Sequence, residues 1–206
     1  LCFALLAGML PVTAGAATVG GFTIEGGTQG TDYSYSDGVL TINNGANLTI
    51  STNGQTSDRI AIASGVTANI TLAGVNITPS QATGSNQNPA IDVTGATLNL
   101  TLQGTNSLTG GTPNEYQYGA PGIQVPSGAT LTIDGTGSLT ATGTDSCAGI
   151  GGGYKGNGGA ITINGGSVTA NGGNNAAGIG GGNSAASIRR GYEGDKSGAK
   201  DIARRA

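Results

Sequence analysis

At 206 residues, with a formal charge of −3 and only 9% charged positions, the chain suits one domain and lacks the charge density of a disordered polyelectrolyte. It contains no His, which excludes Ser-His-Asp and Cys-His catalysis and imidazole metal sites, and zinc would have to rest on carboxylates and one thiol. Gly fills 41 positions without recurring every third residue, so collagen is excluded; with abundant Thr, Ser and Asn, this composition points to a β-rich fold that turns every few residues.

The chain starts with the apolar run Leu1–Leu10, followed by the small residues Ala14-Gly15-Ala16-Ala17. This reads as the hydrophobic region and cleavage site of a secretory signal, residues 1–16, whose basic N-terminal part is missing. About 10 apolar residues fall short of the roughly 20 that span a bilayer, so the expectation is a secreted or cell-surface protein with no membrane insertion after signal removal. Removing Cys2 with the signal leaves Cys147, which cannot form an internal disulfide. Cys147 occupies the place that Ala176 takes in the next repeat and reads as a small buried residue. Residues 17–188 carry eight acids against Arg59 and Lys155, a net of −6, a poor balance for nucleic-acid binding.

Residues 17–36 form a lead-in in which Phe22 and Ile24 alternate with polar neighbours, as in a short strand capping a stack. From residue 37 the chain repeats. Five segments join a turn glycine to an alternating strand: Gly45–Ile50, Gly65–Ile70, Gly95–Leu100, Gly128–Ile133 and Gly159–Ile163. Their last apolar residues, Ile50, Ile70, Leu100, Ile133 and Ile163, define one register. Ile60, Ile91, Ile123, Ile150 and Ile179 define a second. A third strand follows each glycine-anchored one, at Val75–Ile77, Ser107–Thr109, Ser138–Thr140 and Ser167–Thr169. Asn69 and Asn99 share a register, as do Asn76 and Asn106, which suggests stacked amides.

Three short strands per repeat bury little alone, but stacked coil on coil they share one core and pair their backbones with the coils above and below. The fold expected is all-β, a right-handed parallel β-helix (solenoid) over residues 37–182, with about five coils of roughly 30 residues. Propeller blades need four strands per repeat, and a sandwich has no reason to keep this period. Residues 183–206 break the pattern and are expected to be an irregular tail.

Gly151-x-Gly153-x-x-Gly156 matches a dinucleotide fingerprint on paper, but it leads into the strand Ile161–Ile163 where the fingerprint requires a helix. Scattered carboxylates offer no pair for glycoside hydrolysis, and the expectation is a protein that is not an enzyme. Oxygen ligands at coil corners, Asp134 and Asp145 above all, suit calcium. Tyr116, Tyr118 and Tyr154 lie in loops beside Asn114 and Glu115, a combination of aromatic faces and hydrogen-bonding groups that suits sugars.

The strings IASGVTANITLAGVNI, IDVTGATLNLTLQGTNSLTGG and IQVPSGATLTIDGTGSLTATG, and the two AGIGGG copies 29 residues apart, resemble repeats of secreted, cell-surface proteins of clostridia and related bacteria. They also resemble the non-catalytic carbohydrate-binding β-helix domains of cellulolytic clostridia, whose fold is pectate-lyase-like. The resemblance covers residues 37–182 and implies polysaccharide or cell-wall glycan binding with bound calcium; it transfers no ligand residue. The alternative is a structural stalk or adhesin segment, and a polysaccharide lyase or glycoside hydrolase stands behind both. Ice or crystal binding through Thr-x-Thr, as at Thr130-Leu131-Thr132 and Thr140-Ala141-Thr142, ranks last, because the pattern is not held across coils.

Overall fold

The computed structural model describes residues 15–80, 88–113 and 118–184, together with the backbone of 200–204. The expected signal therefore falls almost wholly outside the described residues. The chain is a parallel β-helix whose coils each contribute one strand to three sheets, called A, B and C here. In order B-A-C, the first coil is β4 (Val39–Ile42), β5 (Asn47–Thr52) and β6 (Gln55–Thr56), and the second is β7 (Arg59–Ile62), β8 (Thr67–Ala73) and β9 (Asn76–Ile77). The third is β10 (Ile91–Asp92), β11 (Thr97–Gln103) and β12 (Thr105–Thr109), and the fourth β13 (Ile123–Gln124), β14 (Thr130–Gly135) and β15 (Ser138–Thr142). The fifth is β16 (Ile150–Gly151), β17 (Ala160–Ile163) and β18 (Ser167–Asn171), after which β19 (Ile179–Gly180) returns to sheet B. First and last triplets thus lie four turns apart.

Alternation drives the stacking. Leu98, Leu100 and Leu102 of β11 point inward over Ala68, Ile70 and Leu72 of β8, while Thr97, Asn99 and Thr101 point outward over Thr67, Asn69 and Thr71. Each fully buried Ile or Leu contributes about 1.5–3 kcal/mol, and the core is a continuous column of them. In sheet B the register is the expected one, with Ile60, Ile91, Ile123, Ile150 and Ile179 stacked in line.

Two registers differ from the sequence alignment. Ile50 pairs with Leu72 and Leu48 with Ile70, so the step in sheet A from the first to the second coil is 22 residues rather than 20. In sheet C, Ser107 pairs with Asn76 and with Thr140, which places Asn106 beside Leu139 and away from Asn76. A slip of two residues leaves every inward side chain inward, so the apolar pattern cannot detect it. A slip of one brings Asn106 into the wall, where it is buried. It stays there because all its hydrogen-bonding capacity is used. Its Oδ1 accepts from the Gly74 and Val75 amides at 3.1 and 2.9 Å, and its Nδ2 donates to the Gln103 and Ser138 carbonyls at 3.0 and 3.1 Å. The expected Asn69–Asn99 pairing does form, with the Asn99 amide donating to Asn69 Oδ1 at 3.0 Å.

Antiparallel strands close the N-terminal end. β1 (Ala17–Val19) and β2 (Phe22–Glu25) form a hairpin whose second strand lies against β5, and β3 (Tyr33–Ser36) lies against β4. Phe22, Ile24 and Tyr33 cover the first coil and are buried. Asp58 latches this cap: its Oδ2 accepts from the Gly21 amide and the Tyr35 hydroxyl, both at 2.8 Å. That hydrogen bond holds the Tyr35 hydroxyl above its usual range, with burial adding to it. At the other end, β20 (Lys200–Arg204) lies antiparallel to β18, while Ile161, Ile163 and Ile179 of the last coil are only partly buried. Val168 and Ile150 beneath them are fully buried. Gly151–Gly156 runs from β16 through a turn toward another strand, β17, so the fingerprint glycines have no helix after them.

Asn106→Ala removes the partners of two amides and two carbonyls and is expected to destabilise the fold by about 2–4 kcal/mol. Asn106→Leu, which matches the neighbouring Leu139, restores packing without the hydrogen bonds and should remain less stable than the parent. Equilibrium denaturation checks both; an unchanged midpoint for either would remove Asn106 from the set of fold-determining residues.

Candidate functional site

The loops on either side of sheet B carry the sugar-binding residues expected from the sequence. Asn114, Glu115 and Tyr116 lie outside the described residues. Tyr118 and Tyr154 are brought together although 36 positions separate them: their ring centroids lie 3.4 Å apart with planes inclined by 15°. Tyr118 belongs to the loop from β12 to β13, and Tyr154 to the loop from β16 to β17. They meet because β13 and β16 are only two residues long, so the corners on both sides of sheet B approach one another.

Both loops are tied to neighbouring coils. Thr144 Oγ1 accepts from the Ala120 amide at 2.9 Å and donates to the Gly111 carbonyl at 2.6 Å, fixing both ends of the segment that bears Tyr118. The Cys147 thiol donates to the Gly119 carbonyl at 3.0 Å, and the Gly119 amide donates to the Asp145 carbonyl at 3.2 Å. Opposite, the Lys155 amide donates to the Asn183 carbonyl at 2.8 Å, and Gly156 closes a turn onto Gly153. Lys155 itself has φ of 58°, a conformation costly for a side-chain-bearing residue and held here by that stacking.

The ammonium of Lys155 lies over the Tyr154 ring, 5.1 Å from its centroid. Tyr118 fills the other face, since a 3.4 Å separation leaves no room for a cation between the rings. Tyr154 is thus covered on both sides, and the free face is that of Tyr118, the one exposed large hydrophobic side chain among the described residues. Hydrogen bonding between the two hydroxyls raises Tyr118 and lowers Tyr154 relative to the usual 10.0, and Lys155 lowers Tyr154 further. In the sequence Lys155 stands out only in the charge balance and Thr144 not at all; in the fold the turn at 154–155 recurs one coil on at 183–184, which fixes the backbone of Lys155.

Asp145 sits close enough to raise both Tyr118 and Cys147, and Asn174, one coil on, donates to its Oδ1 at 3.4 Å. Asp134 is elsewhere. It lies near the end of strand β14 in sheet A, where its carboxylate accepts from the Gly135 amide at 2.7 Å. The two expected calcium ligands are therefore not brought together, with strand β15 between them in the chain, and the described residues include no group of three or more His, Cys, Asp or Glu able to hold a metal. A separate open cleft of about 550 Å³ lies at the corner between sheets B and A, lined by Ser127–Gly128, Asn157–Ala160 and Gly180–Gly181. It shares the 152–159 loop with Tyr154.

Against this geometry, a family model described as beta helix repeat matches residues 131–154 and 161–183. Each matched unit runs from a sheet A strand through sheets C and B to the turn beyond, so the matched repeat is one coil of the solenoid. No curated protein and no solved structure matches the chain.

Cys147 is fully buried, and burial pushes its thiol up to about 12 from 9.0. Because the folded protein favours the neutral thiol, this group's contribution to stability is complete below pH 9 and is lost as pH rises toward 12. Peptide-mapped alkylation at pH 8 should leave Cys147 unmodified in the native protein and modify it in denaturant. Equal labelling in both conditions would show that the thiol is open to solvent, contrary to its place against Gly119.

Proposed function

We propose that this β-helix is an exported or cell-surface domain that binds a polysaccharide or cell-wall glycan without cleaving it. The observation that carries the reading is the stacked Tyr118–Tyr154 pair, with an open ring face on loops tied to the coils beneath. Aromatic rings meet the C–H faces of sugars, and a fixed platform loses little side-chain entropy on binding. Lys155, Asp145 and Asn174 border the pair and supply hydrogen-bonding groups for sugar hydroxyls. The neighbouring cleft gives a chain passing over Tyr118 room to continue. Asn114, Glu115 and Tyr116 precede Tyr118 in the same loop and belong to the proposed site by sequence alone. Calcium enters the proposal as an ion bridging glycan and protein oxygens, with Asp145 the ligand nearest the platform. Asp134 is kept only as an independent corner ligand.

A structural stalk or adhesin segment is the rival, favoured by the unbroken core, which makes the stack a rigid spacer. Retention of the protein on a panel of insoluble polysaccharides, with calcium and with chelator, separates the two. Binding is expected for the parent and should fall to background for Tyr118→Ala, with a smaller loss for Lys155→Gln. Tyr118 is exposed, so its replacement should leave the melting temperature unchanged. No retention of the parent on any glycan would favour the stalk.

A further inference from the structure

The exposed face of Tyr118 is bordered by a carboxylate. Tyr118 precedes Gly119, whose amide donates to the Asp145 carbonyl at 3.2 Å, so Tyr118 and Asp145 share one corner of the stack. The Asp145 carboxylate is held there without being neutralised. Its Oδ1 accepts from Asn174 Nδ2 at 3.4 Å and from the Ser146 hydroxyl at 3.5 Å, and it forms no ion pair among the described residues. Its charge reaches the Tyr118 hydroxyl and helps to hold it above the usual range. The two described bases are elsewhere: Arg59 belongs to the second coil, and Lys155 lies over the far face of Tyr154.

Three properties restrict what this corner can meet. The outer faces of a stacked ring pair are both negative, and the one at Tyr154 already holds an ammonium, 5.1 Å from the centroid. A cation at the Tyr118 end is kept from Lys155 by both rings, farther than the Debye length of about 8 Å. Residues 17–188 carry a net of −6, a field that draws cations and repels acidic sugars. A bare metal ion is poorly served, since calcium takes six to eight oxygens and no group of three acids occurs among the described residues. An ammonium needs less, one carboxylate and one ring face.

We infer that the glycan of this site carries free amino groups, as a de-N-acetylated hexosamine polymer does. Its pyranose C–H face lies on Tyr118, and an equatorial amine at the ring edge projects sideways to Asp145. The inference rests on the glycan-binding reading above and narrows its ligand class. Such a glycan supplies its own cation, so calcium is dispensable for it.

The test is titration calorimetry of the full chain with three β-1,4-linked tetrasaccharides that differ only in bearing a hydroxyl, an acetamido or an amino group at C2. Chelator is present, and the pH is about 6, where primary amines are protonated. The amino tetrasaccharide should bind about tenfold more tightly than the other two, the worth of one charge-assisted hydrogen bond. Asp145→Asn keeps the size of the side chain and an oxygen for Asn174. It should bring the amino sugar down to the level of the other two, leaving those and the melting temperature unchanged. Tyr118→Ala should remove binding of all three. Equal affinity of the parent for the three sugars, or an amino affinity that Asp145→Asn does not change, overturns the inference and leaves the glycan platform standing. Amino-sugar binding that survives Tyr118→Ala overturns it too, assigning the attraction to the acidic body at large. Binding of none of the three also overturns it, and the polysaccharide panel then decides the platform separately.

Discussion

The strand-over-strand pairing between successive coils is the constraint on which every other feature rests. Each coil gives its backbone hydrogen bonds to the coils before and after it, and period-two alternation keeps one face apolar. Strands cannot change length freely without moving a column, so variation is confined to the corners. The connections after β9 and β12 are long on the approach to sheet B, whereas after β16 the long connection is on the departure from it. That shift sets the segment 118–122 facing the 152–159 loop across a narrow sheet, and the tyrosine pair follows.

Two polar side chains are built into this framework by hydrogen bonds to other coils. Asn106 occupies a core position because two amides and two carbonyls of three coils converge on it. Asp58 reaches from the second coil to the cap and binds an amide and a phenol, so the hairpin is closed by an interaction as specific as its apolar contacts are general. Both residues couple pieces of chain more than 20 positions apart, and in a fold whose other contacts are repetitive they help to fix which register is adopted.

Much of the architecture is legible in the sequence because the period is written twice, in the turn glycines and in the isoleucines of sheet B. Ile60, Ile91, Ile123, Ile150 and Ile179 align whatever the loops do, since strands of two to four residues leave little room to slip. Sheets A and C are less legible. Ile50 aligns with Ile70 as well as with Leu72 on hydrophobicity alone, and Asn106 resembles Asn76 while facing the other way. At the site, Tyr118 and Tyr154 are visible as loop aromatics, but their stacking depends on the width of sheet B, which no local pattern encodes. Asp134 and Asp145, eleven positions apart in sequence, sit at different corners because β15 intervenes.

The AGIGGG repeats show how far shape alone governs this region. At Gly151, φ is 138°, and a Cβ there would strike the Gly180 carbonyl of the next coil; at Gly149 it would press on the Ala141 and Asn171 backbones. Side chains at these positions would push the last coils apart. The tyrosine platform depends on these glycines: coils pushed apart would separate Tyr118 from Tyr154 and detach Lys155 from Asn183. Close packing at the centre of the ridge and an exposed aromatic face at its flank are two consequences of the same narrow strand.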